Sequence, residues 1–359
     1  RSGSTLTSPL KKRPTIKDVA EQAGLSLSTV SLAINDSGYV REETKAKVLK
    51  AVEELGYHPS HAARGLASKT SGNIGFILTD DHFSQAEPFY TKIFLGTEFE
   101  ARNHNYYILL TTVGRQFRES GPKPRFLLER NVDGVIIAGR INERLVEYIE
   151  GLGLPIVLVD YELPRKRVST VLIDNRKGAH LATQHLIDLG HRDIGFIGGD
   201  LDHPSIKERF SSFKIKVEES GLPLDERFLV TDEEDTRVDN GYSAAERMLS
   251  ATRKPSAIFA ANDAMAIGCI QYAKQHGMKI PEDLAIIGFD DIEMGSHVDP
   301  RLSTVRVFKE ELGVHAVRRL VDVVKKRTQA VVTTYVPVEL VVRESTGGSR
   351  EGDPPTQPD

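Results

Sequence analysis

The chain has 359 residues, 39% hydrophobic and 27% charged, with a formal net charge of -4; these ordinary globular values exclude a disordered, collagen-like or coiled-coil bulk and leave room for two or three domains with cores of their own. No run of about eighteen apolar residues is present to cross a bilayer, and the opening RSGSTLTSPLKKRP lacks the apolar segment of a secretion signal. The single cysteine, Cys269, excludes an internal disulfide framework and reads as a small core hydrophobe, so a cytoplasmic protein with no membrane partner is expected.

Charge is unevenly spread. Residues 1–72 hold 11 Lys and Arg against 7 Asp and Glu, a balance of +4, which leaves 36 against 44, or -8, for the rest. A basic head on an acidic body is expected where one small module meets phosphate. The ends, 1–13 and 347–359, are rich in Gly, Ser and Pro and are expected to be disordered tails. From 15 to about 58 only helix signals occur. TIKD, with Thr15 as N-cap and Asp18 three residues on, opens a short helix from Ile16 to Ala23, and Gly24 breaks it. Ser26 can cap a second helix, Leu27 to about Asn35. A third, EETKAKVLKAVEELGY, places Val48, Val52 and Leu55 on one buried face.

From residue 73 the texture becomes alternating strands and helices. NIGFIL, YYILLTTV, VDGVIIAG, PIVLVD, VSTVLID, RDIGFIG, PSAIFAA, LAIIGF and LSTVRV read as strands, separated mostly by helical stretches such as KGAHLATQHLIDLG. Near-continuous apolar strands with intervening helices imply parallel sheets covered on both faces. Nine or more are too many for one doubly wound sheet, so two side by side are expected. The fold class is therefore α/β with a small helical head.

Two short helices joined by a tight Gly-containing turn and followed by a third is the helix-turn-helix arrangement. Its second helix enters the major groove, and side chains near that helix's N-terminus read base edges. Ser28, Thr29, Ser31 and Asn35 supply short hydroxyl and amide groups for phosphates and base edges, while Val30, Ala33 and Ile34 would face the core. An ordinary surface helix in a small helical domain suits the composition equally well.

TIKDVAEQAGLSLSTVSLAIN, followed by VREETKAKVLKAVEELGYHPSHAARGLASKTSGNIGFIL, resembles the head of the lactose/galactose repressor family of bacterial transcription factors. HLIDLGHRDIGFIGG, FAANDAMAIG, IPEDLAIIGFDD and DPRLSTVRV resemble its later blocks, in its order, so the likeness spans about residues 14–345. The resemblance implies a periplasmic-binding-protein-like core of two subdomains joined by three crossovers, a homodimer on double-stranded operator DNA, and a small effector in the cleft. The divisions it suggests are 14–59 for the head, 60–72 for a hinge helix and linker, and 73–346 for the core. Within the core, one subdomain would hold about 73–172 plus 307–336 and the other about 173–306 plus 337–346.

SHAARGLASK, 60–69, resembles the family's hinge helix, which orders on DNA. Ten small-rich residues containing Gly65 make a poor isolated helix; a plain flexible linker is the alternative. By the resemblance Leu66 would be a wedge opening the central base step, with Arg64 and Lys69 at phosphates or groove edges. The full expected DNA-contact set is Thr15, Ser26, Leu27, Ser28, Thr29, Ser31, Leu32, Asn35, Tyr39, Arg41, His61, Ala63, Arg64, Leu66 and Lys69. Leu32 stands where most relatives carry arginine, so that operator position should prefer an apolar contact such as a thymine methyl. Arg41 stands where a helix-capping Ser is usual, and Ser212 replaces the usual Gly of the Arg-x-x-Gly-aromatic pattern that begins at Arg209.

Ligands of parallel sheets bind at the carboxyl ends of strands. The candidates there are Thr79 and Asp80, Asp160 and Tyr161, Asn262 and Asp263, and Asp290 and Asp291. Asp263 reads equally as a helix cap. By the resemblance Thr79, Asp160, Arg209, Asn262 and Asp290 fall on effector-contact positions, a donor and acceptor set that suits a sugar or sugar derivative. Phe83, Phe89 and Tyr90, in an enlarged loop after the first strand, would stack on a sugar face or merely pack. Val307 replaces a frequent Gln, removing a polar contact from the pocket. The expected effector set is thus Thr79, Asp80, Phe83, Phe89, Asp160, Tyr161, Arg209, Asn262 and Asp290.

Other chemistry finds little support. GLGLPI precedes a strand and lacks the third glycine of a dinucleotide loop. His180 and His185 point to different faces of a helix, and no Cys or carboxylate pattern completes a metal site. Asp290 and Asp291 are accompanied by no nucleophile or phosphate loop, so neither catalysis nor a cofactor is expected. The functional reading is a ligand-responsive DNA-binding regulator, a repressor of carbohydrate-utilisation genes. The alternatives are a solute-binding protein of the same core fold and a corepressor-dependent regulator of non-sugar metabolism.

Overall fold

The computed structural model describes residues 14–34, 40–57, 70–80, 89–118, 120–163 and 167–348. Contacts divide the chain into two units that meet at Gly72 and Asn73. The first holds α1 (Ile16–Ala23), α2 (Leu27–Ile34) and α3 (Glu42–Leu55). The Asp18 carboxylate accepts from the Thr15 backbone N–H at 2.6 Å and from the Thr15 hydroxyl at 2.7 Å, tying down the start of α1. Gly24 ends that helix in the left-handed region, φ +64°, where a side chain would be strained. Ser26 Oγ accepts from Thr29 N and so begins α2. Val19, Val30 and Val48 are fully buried, with Ala20, Ala33, Ala51 and Tyr57 around them, and Ile34, Val52 and Leu55 pack on the edge. Arg41 is the N-cap of α3, with extended backbone and no capping bond from its side chain.

In chain order the second unit holds β1 (Asn73–Thr79), α4 (Phe89–Asn103), β2 (Tyr107–Val113), α5 (Arg125–Leu128), β3 (Gly134–Ala138), α6 (Glu143–Gly151), β4 (Ile156–Val159), β5 (Ser169–Ile173) and α7 (Asn175–Asp188). It continues with β6 (Ile194–Ile197), α8 (Pro204–Glu219), β7 (Leu229–Val230), α9 (Val238–Leu249), β8 (Ala257–Ala260), α10 (Asp263–Gln275), β9 (Ala285–Ile287), β10 (Thr304–Val307), α11 (Lys309–Val324), β11 (Thr333–Val336) and β12 (Val338–Val341). One parallel sheet runs β11-β5-β4-β3-β1-β2, and a second runs β7-β6-β8-β9. LSTVRV joins neither. As β10 it pairs antiparallel with β12, and single bridges at Ile287–Ser303 and Asp290–Arg306 attach this ribbon to the end of the second sheet.

Alternation along the strands explains why both sheets are covered twice. Successive residues point to opposite faces, and here both are apolar: Phe196 packs with Phe213 of α8 and Ala179 of α7, whereas Ile197 packs with Met248 of α9 and Ala266 of α10. In the first sheet Ile136 faces α4 and α11, while Val135 and Ile137 face Leu145 and Ile149 of α6. Only the outer strands β2 and β11 keep exposed positions. The helices α4 and α11 cross so closely that a Cβ at Gly96 would stand 2.0 Å from Glu310 O, so glycine is required there.

The chain passes between the sheets three times, after β5, between β10 and α11, and between β11 and β12. Those passages bring the carboxyl ends of both sheets to one cleft. Among the described residues no helix is long and apolar enough to cross a membrane.

Candidate functional site

Helix α2 buries Val30 and Ala33 and leaves Leu27 and Leu32 outside, 45% and 43% exposed, values that exclude them from the core. Ser28 is exposed beside them, and Thr29 and Ser31 are half-buried. The hydroxyls of Ser28 and Thr29 each lie 2.8 Å from Ser26 Oγ, forming a polar cluster at the helix's N-terminal turn. Thr15 and Arg41 are also exposed. Asn35, Tyr39, His61, Ala63, Arg64, Leu66 and Lys69 lie outside the described residues.

The cleft in the second unit collects one residue or more from the carboxyl end of nearly every parallel strand. Thr79 ends β1, while Arg115 follows β2, Arg140 β3, Asp160 β4, Asp200 β6, Glu234 to Thr236 β7, Asn262 β8 and Asp290 β9. Phe89 and Tyr90 enter from α4, and His203, Ser205, Ile206 and Arg209 from the start of α8. Asp160 and Asp290 hold positive φ, +55° and +108°. Such strain at residues other than glycine clusters at functional sites.

Arg209 organises the floor. Its guanidinium is buried, donates to Asn175 Oδ1 at 2.8 Å, Ala261 O at 2.7 Å and Asp290 Oδ1 at 3.3 Å, and stands 3.7 Å over the Phe289 ring. Burial raises the Asp290 carboxyl above its usual range, opposed by Arg209 and Lys309. The Lys309 ammonium donates to the Asp290 carbonyl. The Asp160 carboxylate accepts from Tyr90 Oη at 3.1 Å and Ser205 Oγ at 3.2 Å, and burial pushes it up to about 6 against the pull of Arg209. Since Ser205 belongs to α8 and Asp160 directly follows β4, this bond spans the two halves of the cleft. A second span is the Arg140–Asp200 ion pair at 2.7 Å, 41% and 39% exposed and thus worth no more than ~1 kcal/mol.

Several sequence-derived candidates sit elsewhere. Asp80 is exposed and lines a different concavity, with Thr111 to Gly114, because the strand's alternation sends it away from Thr79. Tyr161 does not line the cleft but packs edge-on against His203, with ring centroids 5.9 Å apart. Phe83 lies outside the described residues. Val307 is core, not pocket wall. Asn262 is itself the cap of α10, accepting from Met265 N and donating to Thr236 O. Asp263 is wholly buried behind it, accepting from Thr304 Oγ1 and Ile292 N. Asp291 is held by Arg306 and Arg343 at 2.7 Å each. Ser212 Oγ donates to Arg176 O at an exposed position.

The sequence reading missed Arg115, Arg140, Asp200, His203, Ser205, Ile206 and the Glu234 to Thr236 segment. The first three follow strands that were read correctly, so applying the carboxyl-end rule to every strand would have found them. The segment after β7 had no such signal, for a two-residue strand leaves no apolar run to read.

Comparison with known proteins places this geometry. Residues 15–60 match the model of bacterial regulatory proteins of the lacI family, and residues 183–346 match a periplasmic binding protein-like domain. Catabolite control protein A of Priestia megaterium is 34% identical over 334 residues, covering 92% of this chain and 99% of that protein. A transcriptional regulator CelR in complex with cellobiose superposes with a TM-score of 0.70 at 30% identity, covering 93% of this chain and all of the other. The lac repressor dimer bound to operator and the anti-inducer ONPF gives a TM-score of 0.76 at 25% identity, covering 93% and 99%. With head and core matched in one continuous chain by transcription regulators, the protein belongs to the lacI family of bacterial transcription regulators.

Proposed function

We propose that the protein is a homodimeric repressor of carbohydrate-utilisation genes in the cytoplasm, with residues 14–59 reading a pseudopalindromic operator, 60–72 acting as hinge helix and linker, and 73–346 as effector and dimer core. The carrying observation is the cleft itself, where carboxylates, an amide, hydroxyls and two aromatic rings converge from both sheets. Carboxylate and amide pairs match vicinal hydroxyls, and aromatic faces cover the apolar side of a sugar ring. The cellobiose in a structural relative supports the same class. In the head, exposed Ser28 and Leu32 lie four residues apart on one side of α2, so a hydroxyl and an isobutyl group would reach the groove together, Leu32 against a thymine methyl.

Effector contacts are assigned to Thr79, Phe89, Asp160, Arg209, Asn262 and Asp290. A ligand seated between Asp160 on one side and Asn262 and Asp290 on the other bears on both halves, so its binding energy can shift their relation and thereby order or melt the hinges. The test is operator binding by the full-length protein, titrated with a carbohydrate panel, for wild type and Asp290→Ala. The variant should keep operator affinity and lose the effector response, and an unchanged dose curve would remove Asp290 from the site.

A further inference from the structure

The charge inventory of the cleft selects among carbohydrates. Three arginines and five carboxylates line it. Two of the arginines are engaged, Arg140 with Asp200 at 2.7 Å and Arg209 with Asp290 at 3.3 Å. Arg115 is exposed to solvent and is also engaged by a neighbour. Asp160, Glu234 and Asp235 remain on the acidic side, and Asp235 pairs with Arg237 at 2.8 Å. With Arg237 on Asp235 and Lys309 at Asp290 included, five cationic groups balance the five carboxylates when Asp160 and Asp290 are ionised. The cleft therefore has no surplus of positive charge while those two carboxyls are ionised.

One polar atom in the lining lacks a protein partner. His203 Nδ1 is buried with no hydrogen bond among the described residues, and a buried nitrogen without a partner is destabilising. Burial, reinforced by Arg209 and Arg140, lowers this imidazole to about 4, so it stays neutral. A neutral ring nitrogen is satisfied by a hydroxyl, which can donate or accept according to the tautomer.

We propose that the cleft is built for an uncharged polyhydroxylated ligand, one hydroxyl of which pairs with His203 Nδ1, and that it rejects the same ligand bearing a phosphate or carboxylate. This rests on the carbohydrate reading. An added anion would face Glu234, and Asp160 where it is ionised, and would find both inner guanidinium groups already paired, which opposes binding by like charge.

The experiment uses the full-length protein and matched sets: pentoses, hexoses and disaccharides, each as the neutral sugar, the sugar phosphate and the uronic acid, read by thermal shift and then calorimetry. A neutral sugar should bind, with its phosphate and uronate at least about 100-fold weaker. His203→Leu should weaken the neutral sugar about tenfold, and His203→Asn, whose amide can replace Nδ1, should restore most of that. Asp200→Asn, which releases Arg140, should raise the affinity for the phosphate. A phosphate or uronate that binds as tightly as its neutral parent overturns this inference alone and leaves the carbohydrate reading standing. Equal affinities of wild type and His203→Leu for the neutral sugar remove His203 from the contact. No binding by any sugar in any form removes the carbohydrate reading and this inference with it.

Discussion

Replacing Arg209 by alanine removes a buried guanidinium that donates three hydrogen bonds and covers the Phe289 ring. Breaking a buried charge pair from one side typically costs about 3–5 kcal/mol. Here the lower end applies, because the Asp290 carboxyl is already raised by burial and can take up a proton once its partner has gone. At about 2–4 °C per kcal/mol for a domain of this size, the melting temperature should fall by about 6–12 °C. Arg209→Met keeps an apolar stem over Phe289 but leaves Asn175 Oδ1 and Ala261 O without their donor, so it should lose about 2 kcal/mol. Thermal melts of full-length wild type and both variants, followed by circular dichroism, measure this. An Arg209→Ala protein melting within about 2 °C of wild type would refute the assignment of Arg209 as organiser of the cleft floor.

Gly96→Ala puts a Cβ 2.0 Å from a backbone oxygen that cannot swing aside, so the crossing of α4 and α11 must open, at about 1–3 kcal/mol; a melting temperature unchanged by this substitution would contradict the close approach. Asp263, buried and pushed up to about 8 first by burial and then by Asp290, favours its protonated form in the folded state. Its contribution is complete below the unfolded value of about 3.9 and is lost as pH rises through about 8. In urea melts at pH 5 and pH 8.5, wild type should therefore lose stability relative to Asp263→Asn at the higher pH, and a constant difference would be evidence against the shift. Leu66→Ala should weaken specific operator binding by about 1–3 kcal/mol while leaving non-specific binding at equal salt nearly unchanged, and equal losses on both would rule out the wedge.

Fold and site were not equally legible in the sequence. In the head the bounds of α1 were legible because its signals are local, with Thr15 and Asp18 starting it and Gly24 ending it, whereas of the expected face of α3 only Val48 is fully buried and Val52 and Leu55 are half-buried. The strands of both sheets were visible wherever burial on two faces gave an unbroken apolar run, as in GVIIA and AIFA. Three strands were not. Leu229–Val230 is too short, while β11 and β12 alternate with exposed residues and flank Pro337, so neither forms such a run. LSTVRV reads as a further parallel strand, and its single bridges to the end of the second sheet are indeed parallel; its ladder, however, is with β12 and antiparallel, a partner that apolar content alone does not reveal.

For the cleft, the carboxyl-end rule located Thr79, Asp160, Asn262 and Asp290, but it gives no side to the second residue of each pair. Asp80, Tyr161, Asp263 and Asp291 all turn elsewhere, two of them into ties that hold the loops. His203 carried no local signal. Its importance comes from a buried nitrogen without a partner among the described residues and from two arginines, one of them distant in sequence.

The most direct test couples the two ends of the chain: selection of bound duplexes from a random DNA pool by the full-length protein at fixed near-physiological salt, repeated with each sugar that raises its melting temperature. An enriched pseudopalindrome with an apolar-compatible base opposite Leu32, whose occupancy changes when the sugar is added, is the result expected of an effector-controlled operator reader. An enriched site whose occupancy ignores every ligand that binds the cleft, or no enrichment at all, would contradict it.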